Sequence, residues 1–203
     1  MKIKLKLIRI IRYISDGILP LLFWIFVIFA FDAPDVAVLT ILSALIHELG
    51  HLIVILSRNV SFSLRGHLSG FRIAKASSSY NDHLLILLGG PLANFAVYLF
   101  GTIFSSAMNG YMGLFGNLNL ITALSNLMPI EGYDGYGIIR SILERYRLNR
   151  AERILEHTSF GICVAITFLA LYLLMRYNIG YWIFGLFLTL IMVKIRENLK
   201  MAQ

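Results

Sequence analysis

The stretch "SALIHELGHLIVIL", Ser43–Leu56, reads as the middle of an apolar helix, yet it carries His47, Glu48 and His51 within five residues. Its neighbours are as apolar as it is. The 203-residue chain is 58% hydrophobic and 14% charged, with a mean hydropathy of +0.76. Soluble domains are nearer half apolar and a quarter charged. A chain of this composition is expected to be an integral membrane protein with an all-α, polytopic fold. The single cysteine, Cys163, excludes an intrachain disulfide framework and a multi-cysteine metal site. The net charge of +7 would suggest nucleic acid in a soluble protein; here it is read as loop basicity, and no nucleic acid partner is expected.

Six apolar segments flank and include the opening stretch, near 17–31, 36–57, 83–107, 112–130, 158–176 and 179–196. The basic start "MKIKLKLIRIIRY" resembles a secretory signal, but the apolar run goes on to about Phe31 with no small-x-small site, so a retained first helix is expected. With the N-terminus in the cytoplasm, 17 of the 18 lysines and arginines fall inside. They lie in the N-terminal arm, the 58–82 and 131–157 loops and the tail, and only Arg176 lies outside. The expectation is about six transmembrane helices with both termini cytoplasmic. No repeat, low-complexity tract or long polar linker marks a second domain, so residues 1–203 are read as one domain.

Histidines four apart share one helix face, so His47 and His51 can offer two neutral nitrogens to one zinc ion. Glu48 between them can take a proton from an activated water. Three such residues without a purpose would burden the span, because each charge at mid-membrane costs roughly 2.5–3.5 kcal/mol on insertion scales. Gly50, inside the motif, is read as adding no bulk beside the metal. A third ligand must come from elsewhere. "SNLMPIEGYDGYG", after the fourth apolar segment, offers Glu131 and Asp134 where Pro129 and the glycines break a helix. Chemically both acids qualify.

Together these residues resemble the site-2 protease family of intramembrane zinc metalloproteases. The family's H-E-x-x-H stands here as "HELGH", its G-P-x-x-N as "GGPLANF" with Gly90, Pro91 and Asn94, and its N-x-x-P…D-G as "NLMPIEGYDG". The match covers roughly residues 36–140, and the hydropathy of the rest is similar to the compact six-helix branch that includes stage IV sporulation protein FB. The resemblance implies zinc, one ion per chain, held by His47, His51 and Asp134 rather than Glu131. It implies Glu48 as the catalytic residue, and a substrate-binding or oxyanion role for Asn94 and Asn126. Interhelical hydrogen bonding is the plainer role for those two asparagines. Gly89, Gly90 and Pro91 are read as permitting close helix approach or a kink. The PDZ and CBS domains of better-known relatives are not expected.

Between the second and third segments, Phe62, Leu64 and Ile73 alternate with Ser61, Ser63, Arg65 and Arg72, and Gly66 and Gly70 mark a bend. A short membrane-surface β-hairpin is expected, whose edge could hold an unwound substrate by strand addition. His67, His83 and His157 lack partners at ligand spacing. Tyr133 and Tyr136 flank Asp134 and either orient it or sit at the interface as aromatics. The basic stretch "RSILERYRLNRAERI" is read as one cytoplasmic surface helix that meets anionic lipid or docks an acidic substrate tail. The expected activity is cleavage of membrane-tethered proteins or peptides near the cytoplasmic face of a bacterial cell membrane. The expected partners are the lipid bilayer, a transmembrane or membrane-associated protein substrate, and a regulatory membrane protein. The rival readings are an inactive zinc-binding scaffold and a metal carrier. Glu48 argues against the first, and the gathering of polar residues on one side argues against the second.

Overall fold

The computed structural model describes residues 19–31, 33–60, 62–67, 70–75, 79–106, 110–177 and 181–201. The basic N-terminal arm of Lys2, Lys4, Lys6, Arg9 and Arg12, and Ser61, lie outside them. The described chain is dominated by helix: α1 (Leu19–Phe31), α2 (Pro34–Ser57), α3 (Tyr80–Ile103), α4 (Tyr111–Asn126), α5 (Asp134–Arg145), α6 (Asn149–Tyr177) and α7 (Tyr181–Met201). Strands β1 (Phe62–His67) and β2 (Gly70–Lys75) pair antiparallel between α2 and α3, with Leu64 opposite Ile73 and His67 opposite Gly70. The chain forms two compact units, Met1–Leu120 and Ile121–Gln203.

Among the described residues, three helices are long and apolar enough to cross a membrane: α2, α3 and α6. The other apolar segments give shorter or more charged helices. The described part of α1 has 13 residues. Helix α4 stops after 16 residues, at Asn126, ahead of Pro129, whose ring disfavours helix in the residue before it. Helix α7 carries Lys194, Arg196, Glu197 and Lys200 in its second half.

In the first unit, α2 packs chiefly on α3. Pro34 opens α2, where its missing N–H is no loss, and Asp35 complements the helix dipole. The Ser79 side chain caps α3 by accepting from the Asp82 amide at 3.1 Å, and Asp82 pairs with Arg58 at the end of α2, 2.9 Å away. This ties the two helix ends together. Where the helices cross, a Cβ on Gly50 would lie 2.3 Å from the Gly89 carbonyl oxygen, and one on Gly89 would lie 2.7 Å from that of Gly50. Backbone thus meets backbone, as small residues permit in membrane helix pairs. Gly50 therefore serves the helix contact and does not face a metal. A second close approach joins α3 to α4, where a Cβ on Gly101 would stand 2.7 Å from Gly116 Cα.

The faces of α2 are inverted relative to a soluble helix. Ser43, His47, Gly50 and His51 are buried, while Leu45, Leu49, Ile53 and Leu56 are exposed. An exterior so rich in apolar side chains suits hydrocarbon, and Ser43 and the two histidines turn inward where protein can satisfy them.

In the second unit, α6 packs on both α5 and α7. Ile130, Cys163 and Phe187 form its buried centre, with Tyr133 packed against them. The basic stretch 140–154 is not one helix. Helix α5 ends at Arg145, Arg147 takes a left-handed φ of 54°, and α6 starts at Asn149. A hydrogen bond from the Leu148 amide to the Leu143 carbonyl closes that turn. The run of arginines hid a reversal that no glycine announced.

Candidate metal centre

His47 and His51 project from the buried face of α2, 5% and 9% exposed. Their rings stand edge to face, 87° apart, with centroids 4.7 Å apart and the two Nε2 atoms 3.1 Å apart. Each Nδ1 is held from α3. His51 Nδ1 lies 2.6 Å from the Ile86 carbonyl oxygen. That oxygen only accepts, so Nδ1 carries a proton. His47 Nδ1 lies 2.8 Å from Asn94 Oδ1. The Asn94 amide nitrogen donates to the Ser43 carbonyl at 2.9 Å and to Asn119 Oδ1 at 2.7 Å. With its nitrogen so committed, Asn94 presents oxygen to His47, and His47 too is Nδ1-protonated.

The consequence is two Nε2 atoms converging to 3.1 Å. Two imidazole nitrogens held this close need a cation between them, a shared proton or a metal ion. A metal ligand whose second nitrogen donates to a carbonyl or amide is the common arrangement in zinc sites. The fit extends to the wall of the site. A Cβ on Gly90 would lie 2.6 Å from His47 Cε1 and His51 Nε2, and 2.7 Å from His47 Nε2. Gly90 therefore makes room for the imidazole pair. It is not a spacer between helix backbones, as its place in the sequence suggests. Only its neighbour Gly89 has that packing role.

Glu48 follows His47 on α2 and is exposed. Asn94 is fully buried. Its oxygen goes to His47 and its nitrogen to Ser43 and Asn119, which leaves no N–H to offer an oxyanion. Its oxygen holds His47. Asn126 donates through its side chain to the Thr122 carbonyl of its own helix at 3.0 Å, a local bond that caps one turn of α4. Ser43 and Asn119 belong to none of the three motifs. Their signal in the sequence is only a polar residue within an apolar span, here fully buried.

In the second unit, Asp134 is the first residue of α5, a position that favours a carboxylate through the exposed helix N–H groups. The preceding loop is folded tightly against it. A Cβ on Gly135 would fall 2.0 Å from the Leu127 carbonyl oxygen, and Gly132 takes a φ of 103° that favours glycine. The Glu131 amide donates to Ser159 Oγ at 2.7 Å, and its carboxylate accepts from Lys194 Nζ at 2.5 Å. Of the two acids that the loop offers, Glu131 is thus neutralised by an ion pair with α7. Burial pushes the Tyr133 hydroxyl up to about 12. Burial also raises Tyr136, with Glu131 adding to it. His157 bonds the Arg153 carbonyl in its own helix at 2.6 Å, a local role in α6.

No protein-family model matches the chain. It is 28% identical over 136 residues to the Synechocystis protein named "Putative zinc metalloprotease sll0528". That alignment takes in 62% of this chain and 35% of the relative, so the chain spans about a third of its relative's length. Among solved structures, the site-2 protease from Methanocaldococcus jannaschii superposes with a TM-score of 0.53 at 24% identity, over 88% of this chain and 82% of that one. The chain shares the fold of that site-2 protease.

Proposed function

We propose that the protein is an intramembrane zinc endopeptidase of the site-2 protease type. It would cleave membrane-tethered proteins or peptides near the cytoplasmic face of a bacterial cell membrane. The observation that carries the proposal is the imidazole pair, with both Nδ1 atoms pinned and both Nε2 atoms turned to one point. By the motif resemblance, His47 and His51 would supply two imidazoles and Asp134 a carboxylate to one zinc ion per chain, a donor set that suits zinc. The Lys194 ion pair occupies Glu131, which favours Asp134 as the acid. Three ligands leave a position open for chemistry, as catalytic rather than structural zinc sites do.

Zinc held there supplies Lewis acidity, which makes water a usable nucleophile near neutral pH. The chain supplies the rest. Asn94 and the Ile86 carbonyl fix the imidazole tautomers. Glu48 takes the proton of the attacking water and returns it to the leaving amine. The β1–β2 ladder offers an edge on which an unwound substrate strand can be held.

Six spans with both termini cytoplasmic follow from the distribution of lysine and arginine. The hydropathy outside the motifs supports the compact sporulation-protease-like branch. A regulatory membrane protein would supply control. The test is metal analysis of detergent-purified protein. Zinc near one per chain, lost in His47→Ala and sharply reduced in Asp134→Asn, supports the site. Full zinc in His47→Ala refutes it.

A further inference from the structure

We propose that Asn119, a residue outside all three motifs, is a positioning residue that sets the tautomer of His47 through Asn94. The proposal deepens the zinc reading, on which its affinity arm rests. Asn119 is fully buried on α4, one turn beyond the Gly116–Gly101 contact that brings α4 onto α3. Its side chain joins a directional relay. Asn119 Nδ2 donates to the Phe115 carbonyl at 2.9 Å. That bond turns Asn119 Oδ1 toward Asn94, whose Nδ2 donates to it at 2.7 Å. Asn94 Oδ1 then accepts from His47 Nδ1 at 2.8 Å. The relay starts at a backbone carbonyl, which can only accept, so each amide has one allowed orientation.

The alternative state is well defined. If Asn94 flipped, its nitrogen would face His47 and force the proton onto Nε2, the atom needed as a ligand. Its oxygen would then confront Asn119 Oδ1 and the Ser43 carbonyl, two acceptors against an acceptor. Ser43 Oγ, 3.4 Å from the Asn94 amide nitrogen, could donate to the flipped oxygen and soften that clash. Ser43 alone therefore leaves the flip accessible, and Asn119 closes it. Buried amides arranged this way specify one state because every member is satisfied.

The experiment uses the full chain in detergent, labelled with 15N-histidine, in three forms: wild type, Asn119→Leu and Asn119→Asp. Metal-free samples report the His47 tautomer by 15N chemical shift, assigned by the signal lost in His47→Gln. Chelator competition reports zinc affinity. Wild type should show a single Nδ1-protonated His47. Asn119→Leu should populate the Nε2-protonated form and weaken zinc about 10- to 100-fold, as loss of an outer partner does. Asn119→Asp should restore both, since burial keeps the acid neutral and it can still donate to Phe115 and accept from Asn94. If Asn119→Leu does not fold, Asn119→Ala removes the acceptor without adding bulk. An unchanged tautomer in the variant that lacks the acceptor overturns the proposal, and so does an aspartate that fails to rescue. Wild-type protein that takes up no zinc overturns the metal reading, while the tautomer arm still decides the role of Asn119.

Discussion

Replacing Gly90 by alanine adds one methyl group where the imidazoles stand. Its Cβ would lie 2.6 Å from His47 Cε1 and His51 Nε2. Ordinary contact begins at 3.4 Å, so something must give by about 0.8 Å. The α3 backbone is held by its crossing with α2 at Gly50 and Gly89, so the rings move. Folding should tolerate this. Overpacking costs about 1–3 kcal/mol, and alanine recovers up to about 1 kcal/mol of helix propensity. The site should not tolerate it, because ligand geometry must be kept within about 0.5 Å and a misplacement of about 1 Å can cost 100-fold in rate. Zinc affinity by chelator competition should fall about 10- to 100-fold in Gly90→Ala. The metal-free unfolding midpoint should move far less than in Gly89→Ala, where the new Cβ meets the rigid Gly50 carbonyl at 2.7 Å. Wild-type zinc affinity in Gly90→Ala would refute the reasoning that Gly90 exists to admit the imidazoles.

Gly135→Ala should destabilise the second unit by more than about 3 kcal/mol, since its Cβ would strike the Leu127 carbonyl at 2.0 Å; thermal unfolding of the metal-free protein measures this. Glu131→Gln should keep full zinc and cost under about 1 kcal/mol, because its pair with Lys194 is 45% exposed on the carboxylate side, and metal analysis beside denaturant unfolding checks both. Tyr133 titrates at about 12 in the fold against 10.0 when free. The unfolded chain therefore loses that proton first, so stability is intact below pH 10 and falls as pH climbs toward 12. Tyr133→Phe should flatten that decline, and unfolding midpoints across pH 9–12 would show it.

Much of the site was legible in the sequence because its chemistry is local to helical spacing. His47 and His51 four apart had to share a face, and an uncharged span around them needed a reason to carry them. The parts that escaped depend on contacts between elements. Nothing in "GGPLANF" distinguishes Gly89, which meets a backbone, from Gly90, which meets two rings; that depends on the rotation of α3 against α2. Gly50 was placed beside the metal for the same reason, when its neighbour is Gly89. Asn94 was readable as polar and important, but its bonding capacity is used up by His47, Ser43 and Asn119, partners 25 to 51 residues away. Glu131 and Asp134 are not separated by composition, and the Lys194 that engages Glu131 lies 63 residues along the chain. Hydropathy placed the start of α2 and of α3 to within a few residues, at 36 and 83 against Pro34 and Tyr80. The boundary was not legible at Arg147, whose left-handed turn interrupts a run of good helix formers.

The account stands on Glu48 as the proton carrier of a zinc peptidase. Its most direct test compares wild type with Glu48→Gln, both loaded with zinc in liposomes beside a membrane-tethered reporter. The account predicts equal zinc per chain in the two proteins, reporter cleavage by the wild type, and loss of cleavage by a factor of at least about 1,000 in the variant. Cleavage by Glu48→Gln at a rate comparable to wild type would contradict it.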